Sequence, residues 1–76
     1  MSRVIKINKI NKTRNSIHQE VACTYCTFHS SDKRYFQIDT YVTKDAGANN
    51  QSSQKIQFDK IFALKLIDIL KKEFDI

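Results

Sequence analysis

The sequence predicts an α+β fold, a curved four-stranded antiparallel sheet followed by one C-terminal helix in the order β-β-β-β-α. Up to residue 58, runs of β-branched and aromatic residues are separated by short polar segments, as in strands joined by turns. From Asp59 onward, the apolar residues recur at helical spacing instead. The 76 residues include a single glycine and no proline. We therefore expect one domain over residues 1–76, without long linkers.

Four strands are expected in the first three quarters of the chain. The first is predicted over about residues 3–10, which are rich in valine and isoleucine. The second, over about 17–29, and the third, over about 34–43, flank a polar turn, which is typical of an antiparallel hairpin. A polar loop over 44–53 then leads into a short fourth strand over 53–58.

The helix is predicted over about residues 59–74. Asp59 stands at a natural N-cap position, and lysines fill the last turns. Asp68 and Lys72 have the i,i+4 spacing of an ion pair on a helix surface. One wide arc of the helix is apolar and consists of Phe62, Ala63, Leu66, Ile67, Ile69, Leu70 and Phe74.

Two large apolar residues of this helix, Ile61 and Leu64, lie outside that arc. A helix that covers one sheet needs only one apolar stripe, so the excess indicates a further contact. We expect a homodimer with the helices in its interface, including Ile61, Leu64 and Ile69. The alternative is that one end of the helix is tucked under the 44–53 loop.

The charge is distributed unevenly along the chain. The formal net charge is +5. Residues 1–34 contain seven basic and two acidic residues, whereas residues 35–76 contain six of each. A positive field on one part of a small protein favours polyanionic partners, nucleic acid first; the alternative is a solvated face that keeps the protein soluble. No apolar run resembles a signal peptide or a membrane span, and we expect a cytoplasmic protein.

Both cysteines and both histidines lie within residues 18–29, which suggests a metal or redox site. In a strand, however, alternate residues point to opposite faces, so Cys23 and His29 share one face while Cys26 and His18 share the other. A zinc ribbon places its Cys-x-x-Cys on a tight turn, and this stretch has no turn-forming residue. We therefore predict no metal and no cofactor, and one half-exposed and one buried cysteine.

No catalytic motif is present, and we expect a protein that is not an enzyme. There is no Gly-x-Ser-x-Gly, phosphate-binding loop or dinucleotide fingerprint. Asp39 and Glu20 are the acids of the central strands, and a cross-strand ion pair is the predicted role for them.

The face of the sheet that the helix leaves open is the candidate site. Cations that follow the phosphates, together with aromatic rings for base stacking, are what a single-stranded nucleic acid requires. The candidate residues are Arg3, Lys6, Lys9, Lys12, Arg14, Lys33, Arg34, Tyr35, Gln37, Tyr41 and Lys55. We favour a strand register that turns Cys23 and Tyr25 toward the helix and Phe28 outward.

Two segments carry a resemblance to known proteins. The segments "QIDTY" at 37–41 and "SQKIQFD" at 53–59, with "EVACTY" at 20–25, resemble small bacterial and phage-borne proteins labelled methionyl-tRNA formyltransferase-like. The resemblance covers roughly residues 8–74. That label names an enzyme several times larger, so the resemblance implies kinship with the small proteins rather than the enzymatic activity.

The order of elements is also similar to the transcriptional coactivator/Whirly-type single-stranded DNA-binding family. This similarity implies a homodimer with helices at its interface and open sheet faces that bind single strands. The leading hypothesis is thus a non-enzymatic protein that binds single-stranded DNA or RNA. The alternative is a phage or mobile-element accessory protein that binds and regulates a host protein complex, through the sheet edge and the 44–53 loop. A double-stranded-RNA-binding module is disfavoured, because the helix start has only Lys60 where that module clusters lysines.

Overall fold

The structure, a computed structural model, describes residues 1–45 and 51–76. It contains β1 (Ser2–Arg3), β2 (Cys23–Ser30), β3 (Lys33–Thr40), β4 (Gln54–Asp59) and α1 (Lys60–Phe74). The strands form one sheet in the order β1-β4-β3-β2. The predicted α+β class, with four strands and a C-terminal helix, is confirmed. Among the described residues, no helix is long and apolar enough to cross a membrane.

The sheet is mixed, so the prediction of an all-antiparallel sheet is wrong for β1. Strands β2, β3 and β4 form antiparallel pairs, whereas β1 runs parallel to β4, with Ser2 opposite Ile56 and Arg3 opposite Gln57. A residue pattern predicts that a segment is extended but does not specify its neighbour. Here the first strand lies at the edge beside β4 rather than beside β2, which follows it in sequence.

β1 is also much shorter than the strand predicted over 3–10. The backbone N–H of Val4 still donates to the Gln57 carbonyl oxygen, at 2.8 Å. Beyond that point β4 becomes the helix, whose backbone groups bond to each other and offer nothing to a neighbouring strand. Residues 4–22 instead form an irregular connection, and Lys9 Nζ lies 3.1 Å from Glu73 Oε2 near the end of α1.

A tight turn fixes the hairpin of β2 and β3. Ser31 and Asp32 both have positive φ, 51° and 66°, as a two-residue type I′ turn requires. The turn sets Ser30 opposite Lys33 and Cys23 opposite Thr40. The pairing continues beyond both strands, since the Tyr41 N–H donates to the Ala22 carbonyl oxygen at 3.1 Å.

A row of stacked aromatic rings forms the core. Tyr25 of β2 stacks on Phe36 of β3, with 5.1 Å between ring centroids, and Phe36 stacks on Phe58 of β4 at 5.3 Å. Phe58 in turn contacts Phe62 of α1 at 5.2 Å. Phe58 and Phe62, 7% and 6% exposed, are the only buried hydrophobic residues in the described part of the chain. The core is therefore confined to the junction of β4 and α1.

The helix presents only part of its apolar surface to its own sheet. Leu66 and Ile69 are half-buried, whereas apolar residues on the adjoining side of the helix are exposed: Leu64, Ile67, Leu70 and Phe74. The predicted ion pair between Asp68 and Lys72 is confirmed, at 3.1 Å. We call Leu64, Ile67, Leu70 and Phe74, together with the half-buried Ala63 that precedes Leu64, the exposed stripe.

The helix start gives a first prediction. Asp59 Oδ1 accepts from the Phe62 N–H at 3.1 Å, and Asp59 is thus the N-cap of α1. We expect Asp59→Ala to lower the free energy of unfolding by about 1 kcal/mol, because a capping bond is lost, while Asp59→Asn retains most of it. Urea denaturation followed by circular dichroism measures both. Equal stabilities for the two variants would contradict the capping role.

Candidate nucleic-acid interface

The register divides the sheet into two chemically different faces. On the face toward α1 lie Tyr25, Phe36, Ile38, Ile56 and Phe58. The opposite face, called here the open face, is mostly polar. Its members are Arg3, Thr24, Cys26, Phe28, Tyr35, Gln37, Asp39, Lys55 and Gln57. The predicted orientation, with Cys23 and Tyr25 toward the helix and Phe28 outward, agrees with this register.

An aromatic pair lies at the hairpin end of the open face. Phe28 and Tyr35 are directly opposite each other, and their rings stack with 5.5 Å between centroids. Both are half-buried, so part of each ring remains accessible. Together with Arg3, Ser30 and Gln57 they line a shallow depression of about 260 Å³. The depression thus combines accessible aromatic surface with a guanidinium and an amide.

A hydrogen-bonded relay of side chains crosses the middle of the open face. Gln57 Nε2 donates to Gln37 Oε1 at 2.7 Å, and Gln37 Nε2 donates to Asp39 Oδ1 at 2.7 Å. An ionised carboxylate can only accept, so Asp39 fixes the orientation of both amides. Gln57 is left with its carbonyl oxygen and one N–H available beside Arg3. Asp39, predicted to form an ion pair, instead holds this relay.

Cations flank the relay at the β4 side of the face. Lys55 stands opposite Asp39 in the register. With Arg3 and Gln57 it lines a second depression, of about 180 Å³, near the N-terminal residues Met1 and Ser2. Arg3 therefore borders both depressions. A chain of phosphates that follows this side of the face would meet both Arg3 and Lys55.

The remaining polar pair on the face fixes a ring. The Tyr41 hydroxyl and Thr24 Oγ1 are hydrogen-bonded at 3.0 Å across β2 and the end of β3. This contact holds the Tyr41 ring against the sheet, on the same face as Gln37. Tyr41 and Tyr35 thus bracket the open face along β3.

Other predicted cations lie away from this face. Arg34 is opposite His29 on the helix side and lines a depression with Asp59, Lys60 and Ile61. Lys33 is an exception, because it has the parity of Tyr35 on β3 and so lies on the side of the open face, next to the turn. Lys9 is engaged by Glu73. Lys6, Lys12 and Arg14 are exposed on the irregular connection. The structure thus brings together Arg3, Tyr35, Gln37, Tyr41 and Lys55 from the predicted set.

The sequence places Gln57 on the open face and makes Phe28 a candidate stacking ring if it points outward, and both residues line the depression. The face to which Phe28 points depends on the number of residues in the turn between β2 and β3. The structure shows a two-residue turn, with positive φ at Ser31 and Asp32. Gln57 alternates with Ile56 and Phe58 along β4, and this alternation predicts its place on the open face. Its partnership with Arg3 could not be predicted, because the parallel pairing of β1 with β4 is not encoded in either segment.

The Cys-x-x-Cys segment lies within β2, and its ligands are divided between the faces. Cys26 is on the open face, whereas Cys23 and His29 are on the helix side. Both cysteines are exposed, so the prediction that one is buried is wrong. Within residues 1–45 and 51–76, no three His, Cys, Asp or Glu side chains are grouped as metal ligands would be. Glu20, the other acid considered at the sequence level, pairs with Lys44 at 3.1 Å.

Compared with protein-family models, with curated proteins and with solved structures, the chain gives no significant match.

The strand geometry makes a prediction about the thiols. Residues i and i+3 of a strand are about 10 Å apart along the chain, beyond the roughly 7 Å that a disulfide can span between Cα atoms. We expect mild oxidation of the folded protein to leave Cys23 and Cys26 without an intrachain bond. Mass spectrometry of the monomer band after non-reducing electrophoresis would then give the mass of the fully reduced chain. A loss of two hydrogens from the folded monomer would contradict the strand assignment.

Proposed function

We propose that this protein binds single-stranded nucleic acid on the open face of its sheet, without catalysis. The observation that carries the proposal is the stacked pair of Phe28 and Tyr35 beside Arg3 and Gln57. A base stacks on an aromatic ring whatever its identity, while a guanidinium binds the adjacent phosphate. The net charge of +5 adds a long-range attraction for a polyanion.

The shape of the face favours a single strand over a duplex. The depressions at Arg3 are shallow and open, so an unpaired base can stack on a ring face of Phe28 or Tyr35 that the other ring leaves uncovered. In a duplex the flat surfaces of the bases are covered by their neighbours. Gln57 and Gln37, whose amides the relay orients, lie next to this position and offer hydrogen bonds to base edges.

Tyr35 can be tested against a tyrosine on the other face. We expect Tyr35→Ala to weaken binding of a fluorescein-labelled 15-mer by about fivefold or more, since each stacked base contributes roughly 1–3 kcal/mol. Tyr25→Ala is the matched control, because Tyr25 is 72% exposed but lies on the helix side. Fluorescence anisotropy measures both, with circular dichroism to verify folding. Equal losses in the two variants would exclude the open face as the binding surface.

The cations of the open face should determine the salt dependence. For single strands, the slope of log K against log salt changes by about 0.7 for each phosphate contact. We expect Arg3→Gln and Lys55→Gln each to reduce the steepness by about that amount. Lys65→Gln, on the exposed helix surface, should leave the slope unchanged. Absence of binding by the unaltered protein at low salt would overturn the proposed function itself.

We further propose that the protein is a homodimer joined through the exposed stripe of α1. A compact folded protein of this mass exposes about 4,800 Å², whereas this chain exposes 7090 Å². The excess, about 2,300 Å² per chain, is of the size that obligate dimers bury. The radius of gyration, 14.6 Å, also exceeds the roughly 11 Å expected for 76 residues.

The stripe adjoins an apolar groove at Ala63. This groove, of about 210 Å³, runs between α1 and the sheet, lined by Thr27, Phe36, Phe58 and Ala63 among others. Leu64 of the predicted interface lies on the stripe, and Ile61 lines a separate depression beside Arg34. Ile69 lies on the other side of the helix, where it lines a depression with Ile7 and Lys9 of the irregular connection. A second copy would place its own stripe on this surface by two-fold symmetry.

A charge on the stripe should disrupt this dimer. We expect Leu70→Asp to halve the molar mass measured by size-exclusion chromatography with light scattering, because a buried unpaired carboxylate is costly. Lys65→Asp is the control, since it adds a carboxylate on the opposite, charged side of α1. An unaltered protein that is monomeric would overturn the dimer, and would leave the groove to a partner protein, as the accessory-protein hypothesis predicts.

A further inference from the structure

The outer edge of β2 is an unprotected strand edge. β2 is eight residues long and terminates the sheet on one side. Residues 21–30, "VACTYCTFHS", contain no aspartate, glutamate, lysine, arginine, proline or glycine. Soluble proteins usually protect such edges with lysines, prolines, bulges or very short strands. The opposite edge follows this rule, because β1 has only two residues and one of them is Arg3.

The hairpin register identifies which backbone groups are free. In a two-residue hairpin the residues next to the turn, Ser30 and Lys33, form a hydrogen-bonded pair, and such pairs then alternate. The bond from the Tyr41 N–H to the Ala22 carbonyl oxygen fits the same alternation. The even-numbered residues of β2 therefore bond to β3. The N–H and C=O groups that point outward belong to Cys23, Tyr25, Thr27 and His29.

Nothing in the described part of the chain covers these outward groups. No backbone hydrogen bond from the turns and connections reaches them. Seven of the eight β2 residues are exposed, Phe28 being the exception. The helix lies over β4, at the far side of the sheet from this edge. A further strand can thus approach β2 without displacing any part of the fold.

We propose that β2 pairs antiparallel with β2 of another copy, through an interface separate from the exposed stripe of α1. Two sheets then join into one of eight strands, and two dimers joined through the stripe form a tetramer. One register uses all of the outward groups: Cys23 opposite the partner's His29, and Tyr25 opposite the partner's Thr27. By two-fold symmetry these pairs occur twice, which gives eight backbone hydrogen bonds. No charged side chains are brought opposite each other, so nothing repels the second copy.

In this register the two-fold axis passes between the two copies of Cys26. Cys26 faces the partner's Cys26 as a non-hydrogen-bonded pair, in which the Cα atoms are about 4.5 Å apart. That separation suits a disulfide. The two copies of Cys23, by contrast, are separated by six residues along the strands, about 20 Å. Both cysteines are exposed on the same strand. In this register only Cys26 can form a disulfide with its own copy, so cross-linking of each cysteine reveals how the strands are paired.

The pairing has a consequence for the shape of the surface. The axis is perpendicular to the sheet, so both helices lie on one side and both open faces on the other. Phe28 would then stand opposite the partner's Thr24. The two stacked pairs of Phe28 and Tyr35 would lie on one continuous surface, with the phenylalanines about 13 Å apart along the strand direction. The pairing itself does not depend on nucleic-acid binding.

Single-cysteine variants test the register. Cys23→Ser retains Cys26, and Cys26→Ser retains Cys23. Treated with copper phenanthroline and analysed by non-reducing electrophoresis, Cys23→Ser should form the covalent dimer at least about tenfold faster than Cys26→Ser. Random collision of two exposed thiols would give similar rates for both variants, and that result would overturn the proposal.

A charge at the axis tests the pairing without oxidation. Cys26→Lys brings two ammonium groups directly opposite each other, so the molar mass in light scattering should halve relative to Cys26→Ser. An equimolar mixture of Cys26→Lys and Cys26→Glu should restore the mass, because the opposed charges now attract. Circular dichroism verifies that each variant is folded. An unchanged mass for Cys26→Lys, or no restoration in the mixture, would overturn the pairing.

Discussion

The fold depends on one row of aromatic contacts that runs from Tyr25 through Phe36 and Phe58 to Phe62. It links β2, β3, β4 and α1 in order, and it contains the only two buried hydrophobic residues of the described chain. Aromatic rings bury the largest area of any side chains. A domain this small has little other apolar surface to bury. The row concentrates the available stabilisation where the helix meets the sheet, and leaves the rest of both surfaces exposed.

The concentration of apolar contacts in this aromatic row explains why the two faces of the sheet differ so much in polarity. The aromatic rings on the helix side pack against each other in this row. The open face can therefore hold polar side chains that hydrogen-bond mainly to each other. The relay from Gln57 through Gln37 to Asp39 illustrates the result, because hydrogen bonds order its three side chains. A binding surface with ordered side chains loses less conformational entropy when a ligand arrives.

The sequence predicted those parts of the structure that depend on local pattern. The alternation of polar and apolar residues around Gln37 predicted which side chains of β3 point to each face. Asp59, just before residues with helical spacing, was correctly predicted as the N-cap. Because Cys23 and Cys26 are an odd number of residues apart, their thiols were predicted on opposite faces of the sheet. The parallel pairing of β1 was missed because it depends on contacts between segments more than fifty residues apart. The place of Arg3 beside Gln57 depends on that pairing, so this juxtaposition was not predictable although Arg3 was a candidate residue. Arg34 was expected at the site but lies on the other side of the sheet, because it is next to Tyr35 in β3 and adjacent residues of a strand point to opposite faces.

The junction of β4 and α1 has a mechanical consequence. Asp59 is at once the last residue of the strand, paired with Tyr35, and the cap of the helix. No residue separates the two elements, because β4 ends at Asp59 and α1 begins at Lys60. The direction of α1 is therefore set by the backbone at the end of β4. A ligand that twists β4 would therefore also change the direction of α1 and move the far end of the helix.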